Sequence, residues 1–347
     1  MNELPSLTLT LETVTPLFLG GADNRTPELR PPPFRGLMRY WFRALVGGVL
    51  GDGDDALKVL RKAEAQVFGS PDDKHGQSAV WVRLSTPSYD RNYRTRVLPH
   101  RGDTWTNHQR RTLKNYPQSA IPPGVTPTLI LTLKPKADIQ NLELAVWSLM
   151  VGLALGGVGK RSRRGFGSLR IQTIQGFLGE LDNTLQQQLT QASHPPADGE
   201  ELAQQIGKLL TAARNAFSGF LNNPTLRFAQ DPPQFPVIRP DTHIVIWTPD
   251  KPLKDHTAAL SPLMNKLSSL MRHVGQSDFA QAFGGIKPRR ASPLWVSAHR
   301  LQNDGLALVL THLKARYRPD RPGNQHHLVT NFLNTPPSGW MKTEVAP

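Results

Sequence analysis

The sequence contains no cysteine among its 347 residues. Disulfide bonds and thiolate metal sites are therefore excluded, which fits a protein of a reducing compartment. The first residues, MNELPSLTLTLETVTPLF, have neither a basic start nor a long apolar stretch, so we expect no signal peptide. No apolar run reaches the roughly 18 residues that a membrane-spanning helix needs. We therefore expect a cytoplasmic protein without a membrane partner.

Acidic side chains are scarce relative to basic ones. The chain has 41 Lys and Arg residues against 27 Asp and Glu residues, which gives a formal net charge of +14. Such a balance implies a polyanionic partner, either nucleic acid or an acidic membrane surface. No segment has the lipid-type apolar face of a membrane-surface helix, so the charge favours nucleic acid.

The hydrophobic periodicity predicts an α+β protein made of two ferredoxin-like (RRM-like) domains with an inserted basic arm. In the first half we predict strands at 7–13, 79–84, 128–133 and 169–174, and helices at 35–46, 56–68 and 142–155. In the second half we predict helices at 201–221, 260–273 and 326–333, and strands at 243–247, 294–299 and 306–313. This second set reads as a more degenerate copy of the first. We place the N-terminal domain at 1–178, a linker at 179–200 and the C-terminal domain at 201–347.

The arm, residues 86–126, is too long for an ordinary hairpin loop. Its basic residues are Arg91, Arg94, Arg96, Arg101, Arg110, Arg111 and Lys114, and its aromatic residues are Tyr89, Tyr93, Trp105 and Tyr116. This mixture suits phosphate pairing with base stacking. It also suits a packed hairpin whose aromatic residues belong to a core, and the sequence leaves both readings open.

The most specific local pattern is a glycine-rich loop at 156–168, GGVGKRSRRGFGS. Five glycines and four cationic residues fall within these 13 positions, and none of the 13 is acidic. Glycine lets a backbone approach a ligand and free its amides to face phosphate oxygens. The spacing is that of neither a Walker A loop nor a dinucleotide-binding loop. We predict that the loop binds RNA through the residues Gly156, Gly157, Gly159, Lys160, Arg161, Ser162, Arg163, Arg164, Gly165 and Gly167.

Two further segments carry clustered cations. On a helical wheel Arg35, Arg39 and Arg43 fall within about 80°, opposite an apolar face, so we predict a column of guanidinium groups that binds RNA. The segment 283–294, FGGIKPRRASPL, again joins paired glycines to Lys287, Arg289 and Arg290. We interpret the two glycine-basic loops as the two ends of one RNA-binding groove.

These segments together resemble the RAMP superfamily of CRISPR proteins. TPLFLGGAD…ELRPPPFRGLMRYWFRAL and GGVGKRSRRGFGSL are similar to the Cmr-one type, the terminal RAMP subunit of type III-B effector complexes, and the late RRASPL agrees with this. The resemblance spans roughly residues 7 to 300. It implies two RAMP domains whose first glycine-rich loop faces RNA near the 3′ end of the guide. It also implies as partners the guide RNA (crRNA), target RNA, backbone RAMP subunits and small helical subunits.

The sequence predicts no catalytic site, metal or cofactor. It has no HExxH motif and no Ser/His/Asp order, and we expect His326 and His327 to lie at a helix start or on the surface. Asp23 lies in a loop where, in backbone RAMP subunits of type III complexes, an aspartate helps to cut target RNA. An aspartate beside glycine and asparagine is more often a turn residue. We therefore expect a non-catalytic RNA-binding subunit, with a metal-dependent RAMP endoribonuclease, either cutting target RNA through Asp23 or processing guide precursor, as the alternative.

Overall fold

The structure, a computed structural model, describes residues 4–21, 23, 26–71, 76–96, 100–106, 112–114, 117–176, 181–222, 233–286, 289–316 and 326–346. Within strands and helices it leaves out the side chains of 100–106, 112–114, 276, 286, 289 and 290. Across this part of the chain, no helix has both the length and the apolar character needed to cross a membrane.

The first half of the chain forms a four-stranded antiparallel sheet, which we call sheet 1. Its elements and those of the arm are β1 (Ser6–Thr13), α1 (Pro31–Leu50), α2 (Asp54–Phe68), β2 (Val80–Ser85), β3 (Arg94–Thr95), β4 (His100–Thr106), β5 (Thr112–Lys114), β6 (Gln118–Ser119), β7 (Thr128–Leu133), α3 (Ile139–Leu155) and β8 (Leu169–Gly176). The strand order β2-β7-β1-β8 is that of a βαββαβ unit, in which each helical crossover skips one strand. Helix α1 begins four residues earlier than predicted, because proline is tolerated in the first turn of a helix.

The second half repeats this arrangement in sheet 2. Its elements are α4 (Asn183–Ala192), α5 (Gly199–Phe220), β9 (His243–Pro249), α6 (His256–Phe283), β10 (Gly285–Ile286), β11 (Arg289–Arg290), β12 (Leu294–Arg300), β13 (Leu306–His312), α7 (His326–Asn334) and β14 (Trp340–Glu344). The order β12-β13-β9-β14 relates the four strands as in sheet 1, again with antiparallel neighbours. The predicted α+β class with ferredoxin-like units is therefore confirmed, and the second copy is complete in its strands because β14 supplies the strand that sequence reasoning missed.

The segment predicted as a linker is folded over much of its length. Helix α4 lies within 179–200, and its Leu185 and Leu189 are fully buried. The Asp182 carboxylate accepts hydrogen bonds from the amides of Thr184 and Leu185, which caps the helix. Two leucines four residues apart give this glutamine-rich stretch one apolar face, and that face packs into the main core.

The two sheets differ in how they are covered. In sheet 1, buried leucines alternate with polar residues along β1 and β7, so one face packs on helices and the other is open over the described residues. In sheet 2, every residue of β13 is buried. One face packs on α6 and α7, and the other packs on α5 and on α3 from the first half. Sheet 2 is thus enclosed from both sides.

Candidate nucleic-acid interface

The arginine column of α1 is formed as predicted, but its three members differ in their partners. The Nε atom of Arg39 lies 2.6 Å from Glu64 Oε1, and the Nη1 atom of Arg43 lies 2.7 Å from the same oxygen. Glu64 is on α2 and only 7% exposed. Arg35 has no hydrogen bond or ion pair with any residue that the structure describes. One acidic residue therefore neutralises part of the column, and Arg35 retains its full charge toward solvent.

The glycines of the glycine-rich loop allow the loop to fold closely against itself. Gly167 has a φ of 71°, and a Cβ atom there would lie 1.9 Å from the Val158 carbonyl oxygen. A Cβ atom on Gly157 would lie 2.8 Å from the carbonyl oxygen of Gly167. A side chain at either position would require the backbone to move. Four of the predicted glycines, Gly156, Gly157, Gly165 and Gly167, are buried, and Gly159 is exposed.

Most of the loop's described amides donate within the protein. Those with a protein acceptor belong to Val158, Lys160, Ser162, Arg164, Gly165, Gly167 and Ser168. The Gly165 amide, for instance, donates to the Val296 carbonyl in sheet 2 at 3.1 Å. These seven amides are occupied, so the predicted cradle of free amides around a phosphate does not form from them.

The tandem arginines of the loop point toward the second half of the chain. Arg164 is 8% exposed, and its guanidinium donates to Ser292 Oγ at 3.2 Å and to the Phe283 carbonyl at 3.3 Å. Burial lowers the pKa of Arg164 to about 10. The Arg163 guanidinium lies 4.3 Å from the ring centroid of Trp295 and donates to the Ser292 carbonyl. Both side chains therefore join the two halves, and Arg164 is not exposed to a surface ligand.

The exposed end of the glycine-rich loop is at Lys160. Its amide donates to the Phe18 carbonyl at 2.9 Å, and its ammonium donates to Gln118 Oε1 at 2.7 Å. These contacts bring together the loop, the segment after β1 and the arm. Arg161 and Ser162 follow at intermediate exposure, and burial lowers the pKa of Arg161. Lys160 is thus the loop cation that the structure presents most openly to solvent.

The second glycine-basic loop meets the first one directly. Phe283 and Ser292, which accept hydrogen bonds from the Arg164 side chain, both belong to the segment 283–294. Arg289 and Arg290 form β11, paired with β10, and their side chains are outside the described part. Lys287 also lies outside the described residues. The two loops are adjacent, as a shared groove requires, while the RNA-binding role of these cations stays a prediction.

In the described part of the arm the aromatic residues pack and the basic residues are exposed, while the predicted contact with RNA stays a prediction. Tyr89 donates its hydroxyl to the Pro27 carbonyl at 3.0 Å, and Tyr93 packs on the core under α6. Arg91, Arg94 and Arg96 are exposed. The other cations and aromatic residues of the arm, Arg101, Trp105, Arg110, Arg111, Lys114 and Tyr116, fall outside the described side chains. The two tyrosines thus anchor the arm, and the three arginines lie on its exposed surface.

Asp23 occupies a turn. Its carboxylate accepts hydrogen bonds from the amide of Thr26 at 2.9 Å and from the hydroxyl of Thr26 at 2.6 Å. This pattern is typical of an Asp that shapes its own loop. Within the described part of the chain, no group of three or more His, Asp or Glu side chains is placed to hold a metal ion. His326 begins α7, and its Nδ1 lies 3.0 Å from Nε2 of the buried His312.

Sequence reasoning missed a second surface that contains Arg35. Arg35, Arg39, Trp81 and Lys134 line one depression of about 370 Å³, and Arg35, Trp81 and Arg83 line an adjoining one of about 700 Å³. The signal was present in β2, where Trp81 and Arg83 alternate with the apolar Val80 and Val82. Such alternation places an aromatic and a cationic side chain on the open face of a strand.

Comparison with known proteins identifies the family to which the chain belongs. The family model of the RAMP superfamily matches residues 10–170. The CRISPR system Cmr subunit Cmr1-2 of Pyrococcus furiosus is 32% identical over 185 residues, which cover 48% of this chain and 96% of that relative. The chain belongs to the RAMP superfamily. A second relative, Cmr1-1 of the same organism, is 36% identical over 149 residues, covering 42% of this RAMP chain and 41% of that protein.

Solved structures show the same RAMP fold at lower identity. The apo crystal structure of Cmr1 from Pyrococcus furiosus matches with a TM-score of 0.62 and 20% identity, covering 98% of both chains. A chain in the cryo-EM structure of the type III-B Cmr-beta complex bound to cognate target RNA matches with a TM-score of 0.63 and 16% identity, covering 90% of this chain and 94% of that one. Both matches extend over the two sheets, so the paired arrangement is common to these RAMP proteins.

Proposed function

We propose that this RAMP chain is a non-catalytic RNA-binding subunit of a type III-B CRISPR effector complex. The observation that carries the proposal is the 32% identity to Cmr1-2, of which the chain covers 96%. Residues 1–178 and 201–347 are the two RAMP domains of the proposal, since each range holds all strands of one sheet. Its partners are the guide RNA, the target RNA and the other subunits of such a complex, and its place is at the 3′ end of the guide.

The distribution of charge supports an RNA-binding surface made of the exposed cations. Lys160 at the loop, Arg35 on α1 and the arm residues Arg91, Arg94 and Arg96 are at least partly exposed. The chain as a whole carries 14 more basic than acidic side chains. A backbone of phosphates gains affinity from each cation that displaces a counterion, without need of a base-specific contact. Arg163 and Arg164 take a different role in this proposal, which is to hold the two glycine-basic loops together.

The geometry at Asp23 supports a non-catalytic role. A metal-assisted cut needs an ion that protein and substrate oxygens fix together. Both Asp23 carboxylate oxygens already accept hydrogen bonds from Thr26. The alternative, cleavage of target RNA through Asp23, would require a metal ion to share the carboxylate that already shapes this turn.

The proposal is tested by purifying the tagged chain from its native cells and sequencing the RNA that accompanies it. We expect guide RNAs and the other effector subunits to co-purify with it. Reconstituted complexes with wild-type chain or Asp23→Ala are then compared on labelled target RNA, with the cut positions mapped at nucleotide resolution. Identical cut patterns are expected. Loss of one specific cut in the Asp23→Ala complex, with RNA binding preserved, would make the chain a nuclease.

A further inference from the structure

Only one of the two sheets leaves its outer face available for a ligand, over the residues that are described. In sheet 2 this face is covered by α3 and α5. In sheet 1 the corresponding face presents Trp81, Arg83 and Ser85 on the edge strand β2, all three exposed. The neighbouring β7 and β1 contribute Ile130 and Thr8 beside Arg83, at intermediate exposure. The open face is therefore accessible and mostly polar, with Trp81 and Ile130 as its apolar members.

Trp81 is an exposed aromatic residue whose ring the core does not require. It is 43% exposed, and the alternate residues Val80 and Val82 of the same strand face the core side. Among the described residues, the other exposed large apolar side chains are Val59 and Met341. A single exposed apolar residue is common on protein surfaces, but an accessible aromatic ring among cations is the arrangement that nucleic-acid-binding proteins use to stack bases. The ring is therefore accessible to a ligand from the solvent side.

The surroundings of Trp81 are cationic. Its ring lies 5.9 Å from the Lys134 ammonium, which also donates to Gln77 Oε1 at 2.7 Å. Arg35 and Trp81 line both depressions described above, while Lys134 lines one and Arg83 the other. No aspartate or glutamate is among the described residues that line either depression. The surface therefore offers a flat ring flanked by positive charge on several sides.

We propose that the Trp81 surface, defined by Trp81, Arg35, Arg83 and Lys134, binds a segment of single-stranded RNA with one base stacked on the Trp81 ring. Stacking on an aromatic side chain suits any base, and the three cations neutralise the phosphates on either side of it. This inference rests on the proposed function in one respect, namely that the ligand of the protein is RNA. It adds a site that the glycine-rich loop does not contain.

The Trp81 surface lies at the far end of sheet 1 from the glycine-rich loop. Trp81 aligns across β7 with Ser6 at the start of β1, through Thr132. The loop first joins the sheet eight residues further along, where the Val14 amide donates to the Ser168 carbonyl. Eight residues of extended chain span about 26 Å. The two surfaces are separate enough for variants in one to leave the other intact.

The test compares wild-type protein with Trp81→Ala and Trp81→Phe. Met341→Ala is the matched control, because Met341 is also an exposed apolar residue on an edge strand, at 59% exposure on β14. The two probes are an oligouridine and an abasic ribose-phosphate oligomer of the same length. Thermal unfolding of each variant checks that the fold is retained.

We expect Trp81→Ala to weaken oligouridine binding by about 5- to 150-fold, which corresponds to about 1–3 kcal/mol of lost stacking. Trp81→Phe retains most of the affinity, and Met341→Ala retains all of it. Binding of the abasic oligomer is unchanged by Trp81→Ala, because that oligomer has no base to stack. The salt dependence of oligouridine binding also stays the same, since no charge is removed.

Equal oligouridine affinity for wild type and Trp81→Ala would overturn the inference. If that variant also lost a co-purifying protein subunit, the surface would be a protein-docking site. Wild-type protein that binds neither oligomer would contradict the proposed function as well. If wild-type protein bound both oligomers equally, RNA binding would be supported but stacking of a base on Trp81 would be excluded.

Discussion

At the scale of single residues, Arg164 places a buried guanidinium in the contact between the two halves of the chain. Its partners, Ser292 Oγ and the Phe283 carbonyl, come from the second half of the chain. Its neighbours Arg161 and Arg163 lower its pKa further, after the larger effect of burial. A buried cation is tolerated only when hydrogen bonds replace its lost hydration. The Ser292 hydroxyl and the Phe283 carbonyl therefore depend on Arg164 as the donor of hydrogen bonds between the two halves.

Arg164→Ala is expected to lower the free energy of unfolding by about 2–4 kcal/mol, because buried acceptors lose their donor and a cavity remains. The matched control, Lys160→Ala, removes an exposed cation of the same loop and should change stability by less than about 0.5 kcal/mol. Urea denaturation of both variants measures the difference. Unchanged stability of Arg164→Ala together with weakened RNA binding would show that Arg164 faces RNA and not the second half of the chain.

His299 is a second titratable group between the two sheets, and it is only partly exposed. Its Nε2 donates to the Ala154 carbonyl at 2.7 Å, since a carbonyl can only accept. Burial lowers the pKa of His299 to about 4, against an ordinary value of 6.5, although the hydrogen bond to Ala154 opposes the shift. Below pH 6.5 the unfolded chain binds a proton here that the folded chain does not. The folded state therefore loses stability as the pH falls from about 6.5 to about 4.

The His299→Gln variant keeps a donor but does not titrate, so it isolates this contribution. We expect its free energy of unfolding to rise relative to wild type by about 3 kcal/mol between pH 7 and pH 4. Urea unfolding of both proteins at several pH values measures the difference. A difference that stays constant over this range would show that His299 is not kept neutral by the fold.

At the scale of elements, α1 presents three arginines in one column, of which two form ion pairs with Glu64. Side-chain exposure is 37% for Arg39 and 42% for Arg43, and both contact the Glu64 carboxylate. Arg35 pairs with no described residue and lines the two depressions beside Trp81. A cation already neutralised by a neighbouring acid contributes less to phosphate binding than an unpaired one.

Arg35→Ala is therefore expected to weaken RNA binding more than Arg43→Ala does. The first change should reduce the slope of log affinity against log salt by about 0.7, the value for one phosphate contact on a single strand. Arg43→Ala should leave the slope nearly unchanged, while Glu64 loses one of its two partners. Equal slopes for both variants would mean that the pairing with Glu64 does not distinguish the two arginines during binding.

The elements that sequence reasoning found are those with strong periodicity, and the reasons for the misses are local. The strand Thr128–Leu133 was predicted with its observed bounds, because β-branched and apolar residues alternate there. Helix α4 was missed because glutamines and the flanking prolines suggested a linker, although Asp182 is a capping signal. Strand β14 was missed because WMKTE is short and mostly polar, and its pairing with β9 forms only in the folded chain.

The candidate site was predictable in composition but not in orientation. Sequence located the glycine-rich loop and the α1 column, yet it could not show that Arg164 turns inward to Ser292, 128 residues away along the chain. The same limit hid Trp81, since an exposed and a buried tryptophan read alike in sequence. Which side chains face outward depends on the packing of the second half against the first.

At the scale of the whole molecule, the two βαββαβ units have equal strand order and unequal surroundings. Sheet 2 lies between its own helices α6 and α7 and the helices α3 and α5. The Glu12 carboxylate adds a polar link between the halves, with Arg170 Nη2 at 2.6 Å and Arg300 Nε at 3.7 Å. The covered sheet explains the near-continuous apolar runs of β9 and β13. Because helices cover both faces of sheet 2, an RNA ligand would contact the loops and sheet 1.

The central claim, that this chain binds single-stranded RNA through exposed cations, is tested most directly by titrating the purified full chain with a labelled oligoribonucleotide at several salt concentrations. Arg35, Arg83 and Lys160 alone would give a slope of about −2 in log affinity against log salt, at about −0.7 for each phosphate neutralised. We predict a linear dependence at least that steep, with little change when the RNA sequence is permuted. A flat dependence, or no binding at low salt, would contradict the claim.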